Sequence, residues 1–129
     1  MQFHSYKAIY LQIADLFFDQ ILRRKLLPGD RIPSVRELAA ELEVTPNTVQ
    51  RAYLYLQDKG VIFNKRGIGY FVAENAFDIS HKIKLEEFIN KELPVCFRQL
   101  DALGLDFDQL KKIYENFKSQ EHETKKESE

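Results

Sequence analysis

Two signals for the start of a helix stand close together in the first half of this 129-residue chain, at Ser34 and at Thr45. Ser34 is followed three residues later by Glu37, the spacing of a capping box, in which each side chain bonds the backbone N–H of the other residue. Thr45 precedes Pro46, and proline at the first helical position loses nothing because that N–H has no partner within the helix. The sequence therefore predicts two short helices joined by a tight turn, the arrangement of a helix-turn-helix.

A further helix is predicted upstream, over residues 9–25. Apolar side chains recur there at intervals of three and four, which is typical of an amphipathic helix. The apolar positions are Ile9, Ile13, Leu16, Phe17, Ile21 and Leu22. This helix must end before residues 27–30, Leu-Pro-Gly-Asp, because proline cannot continue the helical hydrogen bonding and Pro-Gly favours a turn. The helix that Thr45 opens is predicted to run to Gly60, since glycine readily takes the left-handed backbone of a helix end.

A short hairpin is predicted after Gly60. Residues 61–63 and 70–72 are rich in β-branched and aromatic side chains, and Lys-Arg-Gly-Ile-Gly at residues 65–69 separates them. Glycine allows close backbone approach to another molecule, and the cations Lys65 and Arg66 would supply sequence-independent attraction to phosphate. The predicted fold class is mainly α with a small β-hairpin, a winged helix-turn-helix that places a recognition helix in the major groove of DNA.

Four sequence runs follow one another in a set order within residues 9–72. The runs are LPGDRIPSVRELA at residues 27–39, VTPNTV at 44–49, DKGVI at 58–62 and RGIGYFV at 66–72. Together they resemble the winged-helix domain of the GntR family of bacterial transcription regulators. The Thr-Pro-Asn-Thr-Val stretch and the short tail look most like the YtrA subfamily, whose members are typically small dimeric repressors.

The resemblance implies which residues contact DNA. It implies that Arg36 contacts DNA from the second helix, and that Arg66 and Gly67 approach the adjacent groove. Along the recognition helix it implies four polar residues: Thr45, Asn47, Thr48 and Gln50. Many family members carry guanine-reading arginines at the positions of Pro46 and Gln50. Because glutamine can pair with adenine instead, the operator of this chain cannot be copied from better-known relatives.

Several of these side chains have a second interpretation. Arg36 is either a DNA contact, a side chain that covers its own helix, or the partner of Glu37 or Glu41 in a surface ion pair. Arg51 points about 100° around the helix from Gln50 and is either a phosphate contact or a free surface charge. Asn47 and Thr48 are alternatively solvated polar residues without a partner. We expect Tyr53 and Tyr55 to be packing residues in the core and on the surface rather than platforms on which bases stack.

Beyond the hairpin, an apolar stripe keeps one helical phase past Pro94. It comprises Ile79, Ile83, Leu93, Phe97, Leu100 and Leu103. We expect a kink at Pro94, with a break into two helices near Leu93 as the alternative. Gly104 ends this segment, and Asp106 with Gln109 predicts the cap of a last amphipathic helix. The polar residues that follow predict a disordered tail at residues 119–129.

Two helices cannot bury such a stripe on each other. A second copy of the chain would cover it and would present two recognition helices with two-fold symmetry, so a homodimer is predicted. The alternative is that the stripe folds back onto its own winged helix. The predicted organisation is a DNA-binding domain at residues 1–75, a helical dimerisation region at 76–118 and the tail. The predicted core of the first domain comprises Ile13, Phe17, Leu38, Val49 and Leu56.

Composition narrows the function classes further. Residues 1–72 hold ten Lys and Arg against seven Asp and Glu, and the remainder holds nine against thirteen, so the first half is the one suited to a polyanion. With a mean hydropathy of −0.40, a polar start and no long apolar stretch, we expect a cytoplasmic protein without membrane insertion. Cys96 is the only cysteine, and the three histidines are scattered, so neither a metal site, a cofactor nor an enzyme is indicated.

These observations predict a sequence-specific DNA-binding transcription regulator. The expected partners are a double-stranded palindromic DNA operator and a second copy of the chain, and repression is the expected activity. The alternative is a winged-helix protein-interaction module that does not bind DNA. The sequence does not say whether a small-molecule effector is sensed.

Overall fold

The computed structural model describes residues 7–127, which form six α-helices and three short strands joined by turns and loops. In chain order they are α1 (Ile9–Leu22), β1 (Arg31–Ile32), α2 (Val35–Leu42), α3 (Pro46–Asp58), β2 (Ile62–Lys65), β3 (Gly69–Val72), α4 (Ala76–Glu87), α5 (Leu93–Leu103) and α6 (Phe107–Glu127). A π-helical turn, Phe88–Glu92, lies between α4 and α5. The chain divides after Glu86 into two compact units.

Both predicted caps of the helix-turn-helix are confirmed. The Ser34 hydroxyl accepts a hydrogen bond from the Glu37 backbone N–H at 3.1 Å, and the Glu37 carboxylate accepts one from the Ser34 N–H at 3.2 Å. The Thr45 hydroxyl accepts from the Thr48 N–H at 3.4 Å, with Pro46 in the first turn of α3. These bonds satisfy backbone donors that a helix start leaves without partners, so α2 and α3 begin where the sequence predicts.

The first helix, α1, ends at Leu22 rather than at Lys25. Arg24 has a left-handed backbone with φ of 62°, and the N–H groups of Lys25 and Leu26 both donate to the carbonyl of Gln20, at 2.8 and 3.2 Å. This closure satisfies the last carbonyls of the helix before the chain reaches the Pro-Gly turn. The predicted boundary was therefore slightly late, because a non-glycine residue supplies the left-handed position.

The wing is a three-stranded sheet and not only the predicted hairpin. β2 and β3 pair antiparallel, and β1 pairs with the other edge of β3, with Arg31 opposite Phe71 and Ile32 opposite Tyr70. A strand of two residues carries no alternation that sequence analysis can detect. Its existence depends on β3, which is distant in the sequence and close in the fold.

The core of the first unit is organised around Tyr53, a packing residue as expected. Its side chain is fully buried, and its hydroxyl donates to the carbonyl of Pro33 at 2.6 Å. Its ring lies edge-to-face with those of Phe17 and Tyr70, with centroid distances of 5.6 and 4.8 Å. Burial raises the pKa of the Tyr53 hydroxyl, so it remains a protonated donor. The five predicted core residues are also buried: Ile13, Phe17, Leu38, Val49 and Leu56.

The first unit extends beyond residue 75, where the sequence predicted its end. Ala76 and Ser80 of α4 are buried, and Ile79 and Ile83 pack against the core. Lys84 reaches α1, with its ammonium nitrogen 3.0 Å from the Asp15 carboxylate. The start of the apolar stripe therefore folds back onto the winged helix, which was the alternative interpretation of the stripe.

Pro94 changes the hydrogen bonding of the helical backbone. In the π-helical turn before it, the N–H of Leu93 donates to the carbonyl of Phe88, five residues earlier instead of four. The backbone at Glu92 and Leu93 keeps helical angles, with φ and ψ of −83° and −45° and of −60° and −43°. Pro94 lies in the first turn of α5, where a missing N–H costs least. The helical backbone thus continues through Leu93, so the break that the sequence left open is not observed, while the kink at Pro94 stays a prediction.

In the second unit, the predicted terminator and cap are confirmed. Gly104 ends α5 with φ of 70°, and Asp106 and Gln109 exchange side-chain-to-backbone hydrogen bonds of 2.9 and 2.8 Å. α6 continues to Glu127, so residues 119–127 are helical where a disordered tail was predicted. Glu, Gln and Lys have high helix propensity and extend a helix that is already nucleated, which composition alone did not reveal. The tail prediction for residues 128–129 lies outside the described residues.

Candidate nucleic-acid interface

The first two turns of α3 carry the polar residues expected of a recognition helix. The hydroxyls of Thr45 and Thr48 lie 2.9 Å apart, so these two side chains hydrogen-bond to each other at the start of the helix. Asn47 is exposed and Gln50 is half-buried. Neither amide forms a hydrogen bond within residues 7–127, so both can donate to and accept from another molecule.

Arg36 has an exposed side chain on α2. It forms no ion pair with any carboxylate among residues 7–127, so the interpretation as a partner of Glu37 or Glu41 is not observed. Glu37 is engaged elsewhere, because hydrogen bonds from the side chain and backbone of Ser34 lower the pKa of its carboxyl group. The guanidinium of Arg36 is therefore uncompensated and is suited to an anionic partner.

Arg51 is not a free surface charge. Its guanidinium carbon lies 4.1 Å from the ring centroid of Tyr10 on α1, and the Tyr10 ring packs edge-on against Tyr55 at 6.3 Å. Such a cation–π contact restrains the arginine without neutralising its charge. Sequence analysis missed Tyr10, because nothing in the local pattern of α1 indicates a contact with α3.

The wing brings Lys65, Arg66 and Gly67 together at the end of the hairpin. The Ile68 N–H donates to the carbonyl of Lys65 at 2.9 Å, and Gly67 has φ of 80°, a left-handed value that favours glycine. All three predicted residues are exposed. Arg66 makes no ion pair or ring contact in the described part of the chain.

Replacing Lys65 and Arg66 together by alanine is expected to weaken DNA binding and flatten its salt dependence. Each lost phosphate contact removes about 0.9 from the slope of log Kobs against log salt, so a change of up to about two units is expected. Fluorescence anisotropy titrations at several KCl concentrations measure this slope. The matched control, Lys25→Ala with Lys82→Ala, removes two exposed cations outside the wing. A wing variant with the slope of the unaltered chain would mean that the hairpin stays off the DNA.

Within residues 7–127, no group of three or more His, Cys, Asp or Glu side chains is arranged to hold a metal ion. In the same range, none of the helices combines the length and the apolar character that crossing a membrane requires.

Comparisons with known proteins match the part of the chain that carries this interface. The family described as "Bacterial regulatory proteins, gntR family" matches residues 9–72, which run from the first residue of α1 to the last of β3. The HTH-type transcriptional regulator YhcF of Bacillus subtilis is 42% identical over 109 residues, covering 84% of this chain and 88% of YhcF.

A repressor and a solved structure are also similar to this chain. The HTH-type transcriptional repressor YtrA of Bacillus subtilis is 44% identical over 72 residues, covering 56% of this chain and 55% of YtrA. A crystal structure of a GntR-family regulator from Bacteroides thetaiotaomicron is 46% identical, with a TM-score of 0.72, and the match covers 88% of this chain and 99% of that chain. The similarity therefore reaches beyond the winged helix into the C-terminal helices.

Proposed function

Since this chain belongs to the gntR family of bacterial regulatory proteins and is a transcriptional regulator with a DNA-binding helix-turn-helix, we propose that it is a repressor that binds a palindromic operator as a homodimer. In this proposal α3 is the recognition helix and the wing contacts the adjacent groove. The proposed DNA contacts are Arg36, Thr45, Asn47, Thr48, Gln50, Arg51, Lys65, Arg66 and Gly67.

The proposed contacts rest on one observation. The unit in which α3 begins with polar residues also carries exposed cations that form no ion pair among residues 7–127. Arg36 and Arg66 are exposed and form no ion pair within the described residues. Cations without a carboxylate partner release counterions from a DNA backbone when they bind its phosphates, which supplies sequence-independent affinity. A winged helix that served only protein contacts would have no reason to retain them.

Base recognition is assigned to the amides of α3. Gln50 and Asn47 can each pair bidentately with adenine in the major groove. The side chains of Thr45 and Thr48 are assigned to the phosphate backbone, where they would position α3 and would not read bases, because their hydroxyls already hydrogen-bond to each other. The operator of this chain is therefore expected to contain adenine-thymine pairs at positions that face the start of α3.

Repression and the YtrA-like assignment are supported by the identity with the Bacillus subtilis repressor YtrA. The aligned segment is 44% identical and covers about half of each chain, 56% and 55%. Both proposals are tested by a reporter gene whose promoter overlaps the bound sequence. Lower transcription in the presence of the protein is expected, and higher transcription would contradict repression.

The homodimer is supported by the exposed apolar side chains of the second unit. They are Phe88, Ile89, Val95, Phe97, Leu103, Phe107, Ile113, Tyr114 and Phe117. A large apolar surface is rarely left exposed to water, and an identical copy would cover it with two-fold symmetry. The same symmetry would present two copies of α3 to the two halves of a palindrome.

The first experiment on this proposal is in vitro selection of DNA duplexes from a random pool with the full-length chain. Enrichment of a palindromic sequence is the expected result. Arg36→Ala is then expected to weaken binding to the selected duplex by about 1–3 kcal/mol if the arginine contacts a base, and to weaken selected and scrambled duplexes equally if it contacts a phosphate. Fluorescence anisotropy with both duplexes separates these cases.

The matched control for Arg36→Ala is Arg23→Ala, which removes an exposed arginine on the other side of the Pro-Gly turn, paired with Asp19 at 2.9 Å. The control is expected to bind both duplexes as the unaltered chain does. Unchanged affinity of Arg36→Ala would exclude Arg36 from the interface. A full-length chain that enriches no duplex and binds none would instead favour the protein-interaction module.

A further inference from the structure

One face of the wing sheet points away from the core and carries two cations and two aromatic rings. Side chains alternate along a strand, so Arg31, Phe63, Lys65 and Phe71 share this face, while Ile32, Ile62, Tyr70 and Val72 face the core. The two rings, of Phe63 and Phe71, stack with a centroid distance of 5.8 Å. This outer face plays no part in the core, so its composition needs another explanation.

Arg31 lies directly against Gly69 on this face. A Cβ atom added to Gly69 would be 3.1 Å from Nε of Arg31, which is tighter than side chains normally pack, and 3.5 Å from Nη2, an ordinary contact. Gly69 also has φ of 142°, a backbone conformation that other residues rarely adopt. The glycine therefore provides the space in which the guanidinium rests.

Lys65 lies on the same face of the sheet, on the strand at the other side of β3. It is the cross-strand partner of Gly69, and its ammonium nitrogen lies 4.9 Å from the centroid of the Phe71 ring and 5.9 Å from that of Phe63. The rings attract the ammonium group through a cation–π interaction and restrain it over the sheet. The guanidinium of Arg31 thus lies against Gly69, the partner of Lys65, and the ammonium of Lys65 lies over the ring of Phe71, the partner of Arg31.

The acidic groups near this pair do not neutralise it. Neither Arg31 nor Lys65 forms an ion pair with a carboxylate in the described part of the chain. Glu37 is close enough to Arg31 for the cation to contribute to its lowered pKa, but its main partners are the hydrogen-bond donors of Ser34. Two restrained cations that form no ion pair are suited to a shared anion.

We propose that Arg31 and Lys65 form a clamp for one phosphate of the DNA backbone on the outer face of the wing sheet. The inference rests on the proposed function, because it takes DNA as the ligand, and it adds Arg31 as a contact. Arginine can donate two hydrogen bonds from its planar fork to a phosphate, and the lysine adds a point charge. Because Gly69 and Phe71 hold both groups in place beforehand, less side-chain freedom is lost on binding.

The test uses the full-length chain, a fluorescein-labelled duplex of mixed sequence and anisotropy titrations at several KCl concentrations. Arg31→Ala and Lys65→Ala are each expected to weaken binding about tenfold, the effect of one charge-assisted hydrogen bond. The losses of the two single variants are expected not to add in the double variant, because two groups that bind the same phosphate are coupled. Arg31→Lys keeps the charge but loses the planar fork, so its affinity is expected to lie between that of Arg31→Ala and that of the unaltered chain. Arg23→Ala is the control for loss of a surface arginine.

The outcomes separate this inference from the proposed function. If the unaltered chain binds no duplex, the proposed function fails and the clamp fails with it. If the unaltered chain binds but Arg31→Ala matches it or matches Arg23→Ala, the clamp is overturned while DNA binding stands. Losses that add fully in the double variant would overturn the shared phosphate.

Discussion

Removing the residues after Glu87 is expected to lower affinity for the palindromic operator by about 10²–10⁴-fold while the first unit stays folded. Two weak half-site contacts become one tight contact only if a dimer holds them together, and the second unit carries the exposed apolar surface proposed to form that dimer. Affinity for a single half-site is expected to change little, because the truncated chain keeps α3 and the wing. Light scattering measures the oligomeric state, and anisotropy with palindromic and single half-site duplexes measures the affinities.

The position of the cut is set by the packing of α4. Ala76 and Ser80 are buried in the first unit, and Lys84 pairs with Asp15 at 3.0 Å. A chain ended at residue 75 would lose these contacts and is expected to unfold at lower urea concentration than the chain ended at Glu87, which makes the pair a test of the boundary. A truncated chain that remained dimeric and bound the palindrome at full strength would place the dimer interface in the winged helix instead.

Tyr53→Ala is expected to lower the free energy of unfolding by about 3–5 kcal/mol. The tyrosine is fully buried and packs against Phe17 of α1 and Tyr70 of β3, so its removal leaves a cavity where three elements meet. Because small domains are stable by only about 5–15 kcal/mol, a loss of this size is a large part of the total. Urea unfolding followed by circular dichroism measures it.

Tyr53→Phe separates the hydrogen bond from the packing. It removes only the hydroxyl that donates to Pro33, and a loss of about 0.5–1.5 kcal/mol is expected. The matched control is Tyr114→Phe on α6, where the side chain is exposed and the hydroxyl forms no hydrogen bond within the described residues. Equal stability of Tyr53→Ala and the unaltered chain would show that the core does not depend on this residue.

The helix boundaries that lie near their predicted positions depend on residues close together in the sequence. A capping box such as Ser34 with Glu37, or Asp106 with Gln109, joins residues three apart, so the residue types and spacing suffice to predict it. The same holds for Gly104, where the backbone conformation and the residue type agree. The positions of Asn47 and Gln50 on α3 followed once the cap at Thr45 was identified.

Contacts between distant segments were decided only by the tertiary structure. β1 exists because β3 pairs with it, Arg51 is restrained because Tyr10 lies beside α3, and Arg31 rests on Gly69 across the sheet. The sequence predicted an apolar stripe but not what would cover it. In the structure the stripe packs against the core at Ile79, whereas apolar side chains beyond Glu87 are exposed. Hydrogen bonds over three or four residues leave a signature in the chain, whereas a side chain's partner across the fold depends on the position of every element between them.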